Sequence, residues 1–110
     1  MTLIECFTDS HIDNIAACLR LQPEKMILVG SREKMDIPAQ RYRALLSKRG
    51  QPTDIVLCDI AGKDLKDIAS AFDTLVKNED ACIIDLTGGD AHVVMAVGAV
   101  LTRLSPEKRK

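Results

Sequence analysis

A chain of 110 residues, 46% hydrophobic and 28% charged, is long enough for one domain with a single core and has the make-up of a soluble globular protein. Its formal net charge of -1 gives no whole-surface attraction to nucleic acid or to a membrane, and no direct DNA binding is expected. Aromatic residues make up 3% with no Trp, so the core must be aliphatic and a base-stacking platform for single strands is not expected.

The first apolar run, "TLIECF" (Thr2–Phe7), reads as a strand. "DSHIDNIAACLRL" follows, with Ile12, Ile15, Ala16 and Leu19 recurring at i, i+3, i+4 and i+7, one face of a helix. Ser10, with Asp13 three residues on, resembles the cap that opens such a helix. "KMILVG" (Lys25–Gly30) is the second strand, and the polar "SREKMD" reads as a loop. In "IPAQRYRALLSKRG", Ile37, Tyr42, Leu45 and Leu46 fall near one helical face, with Pro38 in the first turn and Gly50 just past the end. "TDIVLCDI" (Thr53–Ile60) is the third strand. "KDLKDIASAFDTLVKNED" then sets Leu65, Ile68, Ala69, Phe72, Leu75 and Val76 at helical spacing, and "ACIIDL" (Ala81–Leu86) is the fourth strand. A fourth helix is expected from near Asp90 to about Leu104, and residues 105–110 form a charged tail.

Four strand–helix units in a row predict an α/β fold over residues 1–104: a Rossmann-like three-layer sandwich around a mainly parallel sheet of at least four strands. Right-handed crossovers and a doubly wound order give 3-2-1-4. Val93 to Leu101 is apolar all round, and a four-stranded sheet covers one side of such a helix only. The other side needs a partner subunit or more chain, so a truncated domain or half of a dimer is expected. No run has the length of a membrane span and no signal pattern opens the chain, so a cytoplasmic protein without membrane partners is expected. Cys6, Cys18, Cys58 and Cys82 are too widely spaced for a zinc site, and three of them lie in strand-like runs, as buried small hydrophobes do.

In open parallel sheets ligands bind beyond the carboxyl ends of the strands where the order reverses. Here that point lies between the first and fourth strands, whose exits are "FTDSH" and "LTGGDAH". Thr8 and Ser10 could donate to a phosphate or ribose, and His11 could stack on a base or donate a proton; Ser10 as a cap and Asp9 as a turn residue are the plain alternatives. Thr87, Gly88 and Gly89 could present a hydroxyl and backbone N–H groups to an anion at a helix start, or simply form a tight turn. Neither the dinucleotide fingerprint nor a P-loop occurs, and Asp59 at the end of the third strand reads as a turn residue. Asp9, Asp85 and Asp90 would gather near the same crevice and could hold Mg²⁺ for phosphoryl chemistry.

"FTDSHIDNIAACL" together with "IIDLTGGDAHVVMAVGAVL" resembles the CARF domain, the CRISPR-associated Rossmann fold, in the branch fused to a restriction-like nuclease. The layout agrees over nearly the whole chain; the specific part is the turn after the first strand and Leu-Thr-Gly-Gly after the fourth. The resemblance implies the sensor portion of a homodimer that binds a cyclic oligoadenylate, expected to be the tetra-adenylate, across its two-fold axis. It implies that the Val93–Leu101 helix forms the dimer interface and that binding controls a nuclease effector in type III CRISPR defence. Thr8, Asp9, Ser10 and His11 match the first ligand loop, and Thr87, Gly88 and Gly89 the second, with Asp90 beside them. Asp90 and Ala91 stand where the family often has Thr-Lys, so Ser31 and Arg32, after the second strand, enter the expected site, with Arg32 or Lys34 to supply the cation. No cofactor is expected. Weak cleavage of the ligand, by His11 or Ser10, would be a minor activity. The rival readings are a metal-dependent phosphoesterase using Asp9, Asp85 and Asp90, and an inert dimerisation domain.

Overall fold

The computed structural model describes residues 1–8, 11–51, 53–79 and 81–85, with Met95 and Gly98 in helical conformation beyond them. Strands β1 (Thr2–Cys6), β2 (Lys25–Gly30), β3 (Asp54–Asp59) and β4 (Cys82–Asp85) alternate with helices α1 (His11–Leu21), α2 (Arg32–Lys48) and α3 (Leu65–Lys77). All strand pairs are parallel and the order is β3-β2-β1-β4, the Rossmann-like order that right-handed crossovers predict.

Alternation along the strands feeds two cores. Ile4, Cys6, Ile27 and Val29 pack toward Ile68, Phe72 and Val76 of α3. Leu3, Met26, Leu28 and Ile55 pack toward Ile15 and Cys18 of α1 and Met35, Ala39, Tyr42 and Leu46 of α2. Strands covered on both faces are apolar at most positions, which is why these read as near-continuous runs, with Glu5 of β1 a buried exception within its strand. The capping carboxylate of Asp64 accepts the Asp67 N–H at 2.9 Å and starts α3. At the other end of α3, Glu79 receives Lys25 Nζ at 2.8 Å and the Thr2 hydroxyl at 2.9 Å, tying that end to the amino edge of the sheet.

Two helical faces differ from expectation. α2 begins at Arg32, so "SREKMD" is not a loop, and Pro38 sits inside the helix rather than in its first turn. Ile37 and Leu45 are 62% and 39% exposed; the buried stripe is Met35, Pro38, Ala39, Tyr42 and Leu46. That stripe keeps 3.6-residue spacing back to Met35, and burial along it outweighs the backbone bond that proline cannot make. In α1, Ala16 is exposed while Asn14, Ile15 and Cys18 are buried, so the inward face is rotated from the one that apolar spacing marked. Gly50 adopts a φ of +70° just past the α2 cap, the left-handed turn its place in the sequence predicts.

All four cysteines are thiols; Cys6 and Cys18 are buried, but Cys58 and Cys82 are only half-buried, because β3 and β4 lie at the ends of the strand order. No helix among the described residues is long and apolar enough to cross a membrane. Most of the expected fourth helix, with Val93 and Leu101, and the tail lie outside the described residues.

Candidate functional site

β1 and β4 are parallel neighbours in the register Thr2↔Cys82 to Glu5↔Asp85, so both strands deliver the chain to the same edge of the sheet. The Phe7 N–H donates to Val29 O at 2.8 Å, the last bond of the β1 ladder. Beyond it the chain leaves the sheet, and Asn14 of α1 takes over the pairing. Asn14 Oδ1 accepts the Thr8 N–H at 2.8 Å, and its Nδ2 donates to the Thr8 carbonyl at 2.6 Å. The second Nδ2 proton goes to the Tyr42 hydroxyl of α2 at 3.1 Å. Asn14 is 0% exposed, and a primary amide buried there is stable because both its ends are hydrogen-bonded. Glu5, two residues on from Leu3, faces the same helical layer and is itself buried. Burial is the main cause that raises the Tyr42 phenol above its ordinary value; the Asn14 hydrogen bond opposes this and the Glu5 charge adds to it.

The other rim of the crevice is the start of α2. Ser31 occupies the cap position with extended backbone, and its side chain makes no capping bond. Asp59, at the end of β3, fills that role: its Oδ1 accepts the Ala61 N–H at 3.0 Å and the Arg32 N–H at 3.3 Å. These two amides, Ala61 first, hold the Asp59 carboxyl below its usual range. Asp59 is thus the turn residue expected, and it also joins the β2–α2 and β3–α3 connections. The first amide of α2 is taken by the protein's own carboxylate, and Arg32 itself is exposed.

An open cleft of about 700 Å³ lies at the carboxyl ends of β2 and β3, lined by Ser31, Ile60, Lys63, Leu65 and Met95, with Gly30 at its base. It sits one strand over from the β1–β4 boundary, and of the expected site residues it takes in Ser31. A Cβ on Gly30 would stand 3.0 Å from Phe7 Cβ; glycine there lets the exits of β1 and β2 run side by side. Burial pushes up the Cys58 thiol, with Lys63 opposing, so Cys58 is not poised as a nucleophile.

Among the expected residues, Thr8, Ser31 and Arg32 are on this edge. His11 is the first residue of α1, its side chain outside the described residues, as are Asp9, Ser10, Thr87, Gly88, Gly89 and Asp90. Asp85 ends β4, half-buried and opposite Glu5. Among the described residues no three His, Cys, Asp or Glu side chains gather as a metal site; of the acidic trio, Asp9 and Asp90 lie outside them. Asn14, Tyr42 and Lys63 stand at this edge although the motifs do not mark them as site residues. The signal for Asn14 was present: it stands four residues before Cys18, hence on one helical face with it, and a polar residue on an inward face needs a partner.

Fold and crevice together define an α/β protein with an open parallel sheet, the class in which ligands settle at the carboxyl edge where strand order reverses. No protein-family model matches the chain, and no curated protein matches it.

Proposed function

We propose that the chain is a ligand-sensing regulatory domain that binds a cyclic oligoadenylate at a homodimer interface and controls an effector nuclease. The observation that supports the reading is the adjacency of β1 and β4 in parallel register, which puts Glu5 and Asp85 side by side at the carboxyl edge of the sheet, at the strand ends that "TDSH" and "LTGG" follow in the sequence. The resemblance to CARF sensors rests on those same two turns. Arg32, exposed at the start of α2 on that edge, supplies a cation for a phosphate ring where Asp90 and Ala91 supply none. In this reading the apolar segment Val93–Leu101, most of which lies outside the described residues, is the dimer contact. As a switch, the domain would act by binding one of two dimer arrangements more tightly, since a ligand shifts an equilibrium only by its differential affinity.

Calorimetric titration of the purified chain with cyclic tri-, tetra- and hexa-adenylate tests the reading, with linear oligoadenylate and ATP as controls. Saturable binding of one ring per two chains is expected, and Arg32→Ala should weaken it at least tenfold. A folded chain that gives no heat with any ring overturns the proposal.

A further inference from the structure

We propose that Asn14 is the positioning residue of this sensing site: its buried amide fixes the peptide group of Thr8, the first residue of the proposed ligand loop. The inference rests on the sensor reading above.

β1 bonds to β2 as far as the Phe7 N–H, and the next peptide group bonds to Asn14 instead. Asn14 meets both polar groups of Thr8, accepting from its N–H at 2.8 Å and donating to its carbonyl at 2.6 Å. A side-chain amide bonded in this way imitates one residue of a neighbouring strand. Its orientation is set by its partners: an N–H faces Oδ1, while a carbonyl and the Tyr42 oxygen face Nδ2. Tyr42 belongs to α2, whose first amide, on Arg32, is held by Asp59. One chain of bonds therefore joins the first ligand loop to the helix that carries Arg32. Asn14 is fully buried, so it acts on a ligand only through Thr8 and the residues that follow. An apolar side chain of similar size would keep the packing and lose the register of the loop, and binding geometry is sensitive to such small misplacements.

Amide hydrogen exchange and ring titration on the full chain test this together. In the wild type the Thr8 amide should exchange as slowly as that of Phe7; a rapidly exchanging Thr8 amide overturns the proposal with no variant needed. In Asn14→Ala, exchange over residues 8–11 should rise at least tenfold while β2 and β3 keep their protection. Affinity for cyclic tetra-adenylate should fall at least tenfold. Val76→Ala, which thins the opposite core, serves as the control: it lowers the melting temperature and leaves ring affinity within twofold. Should Asn14→Ala not fold, Asn14→Leu, which keeps the volume and none of the hydrogen bonds to Thr8 and Tyr42, takes its place with the same expectations. A wild type that binds the ring while the variant's loosened loop binds it equally well overturns the positioning role alone. A wild type that binds no ring overturns the sensor reading and this proposal together.

Discussion

Replacing Tyr42 by Phe removes one oxygen from the centre of the polar network under the β1–α1 loop. Tyr42 is 5% exposed, and its hydroxyl accepts from Asn14 Nδ2 at 3.1 Å. Loss of that bond takes away about 1 kcal/mol net, and the stranded N–H adds up to about 1 kcal/mol more, so the variant should be less stable by about 1–2 kcal/mol. For a chain of this size that corresponds to a fall in melting temperature of roughly 4–10 °C. A second consequence concerns alkaline pH. The Tyr42 phenol is raised above its ordinary value of 10.0 in the folded chain. Below pH 10 both states hold the proton and its contribution is constant. As pH rises past 10 the unfolded chain releases its proton first, so wild-type stability falls until the folded value is passed. Tyr42→Phe lacks that limb. The chain contains a single tyrosine, so tyrosinate absorbance in the ultraviolet reports this group alone. Thermal melts across the alkaline range, paired with that titration, form the assay. An unchanged melting temperature, or tyrosinate appearing at or below the ordinary value, would refute the reasoning.

Phe72 is 0% exposed and is the largest side chain between α3 and the sheet, so Phe72→Ala should cost about 3–5 kcal/mol in urea unfolding; a loss under about 1 kcal/mol would mean that α3 does not pack there. Gly30→Ala places a Cβ 3.0 Å from Phe7 Cβ, and the resulting overpacking should cost about 1–3 kcal/mol in the same measurement. A neutral result would show that the exits of β1 and β2 stand farther apart. Glu79 is held below its usual value of 4.5, chiefly by Lys25 and then by the Thr2 hydroxyl. Its contribution is therefore present above pH 4.5 and lost as pH falls through the lower folded value. Lys25 is 37% exposed, which limits the effect to about 1 kcal/mol or less. Glu79→Gln should be the less stable protein at neutral pH and converge with the wild type in acid; melting curves that stay parallel at every pH would contradict this.

The strands and the sheet order were legible in the sequence. Each strand is a short, near-continuous apolar run, because a sheet covered on both faces offers few polar positions to interrupt it, Glu5 being one. Handedness of the crossovers then leaves β3-β2-β1-β4 as the order. The helical faces were less legible, because apolar spacing alone does not say which stripe finds a partner. Ile37 and Leu45 are as apolar as the residues that α2 buries, yet they point to solvent, while Pro38, a helix breaker by local preference, is buried within the helix.

What the sequence by itself determined is thus the alternation of elements and the parallel sheet with its order, since these depend on local period and chain geometry. What only the tertiary structure decided is how the carboxyl edge of that sheet is held together. Asn14 reaches back six residues to Thr8 and across twenty-eight to Tyr42, and Asp59 lies twenty-seven residues from the Arg32 amide it receives. Hydrogen bonds over such separations follow from packing α1, α2 and β3 around one sheet, and no local pattern of residues specifies them.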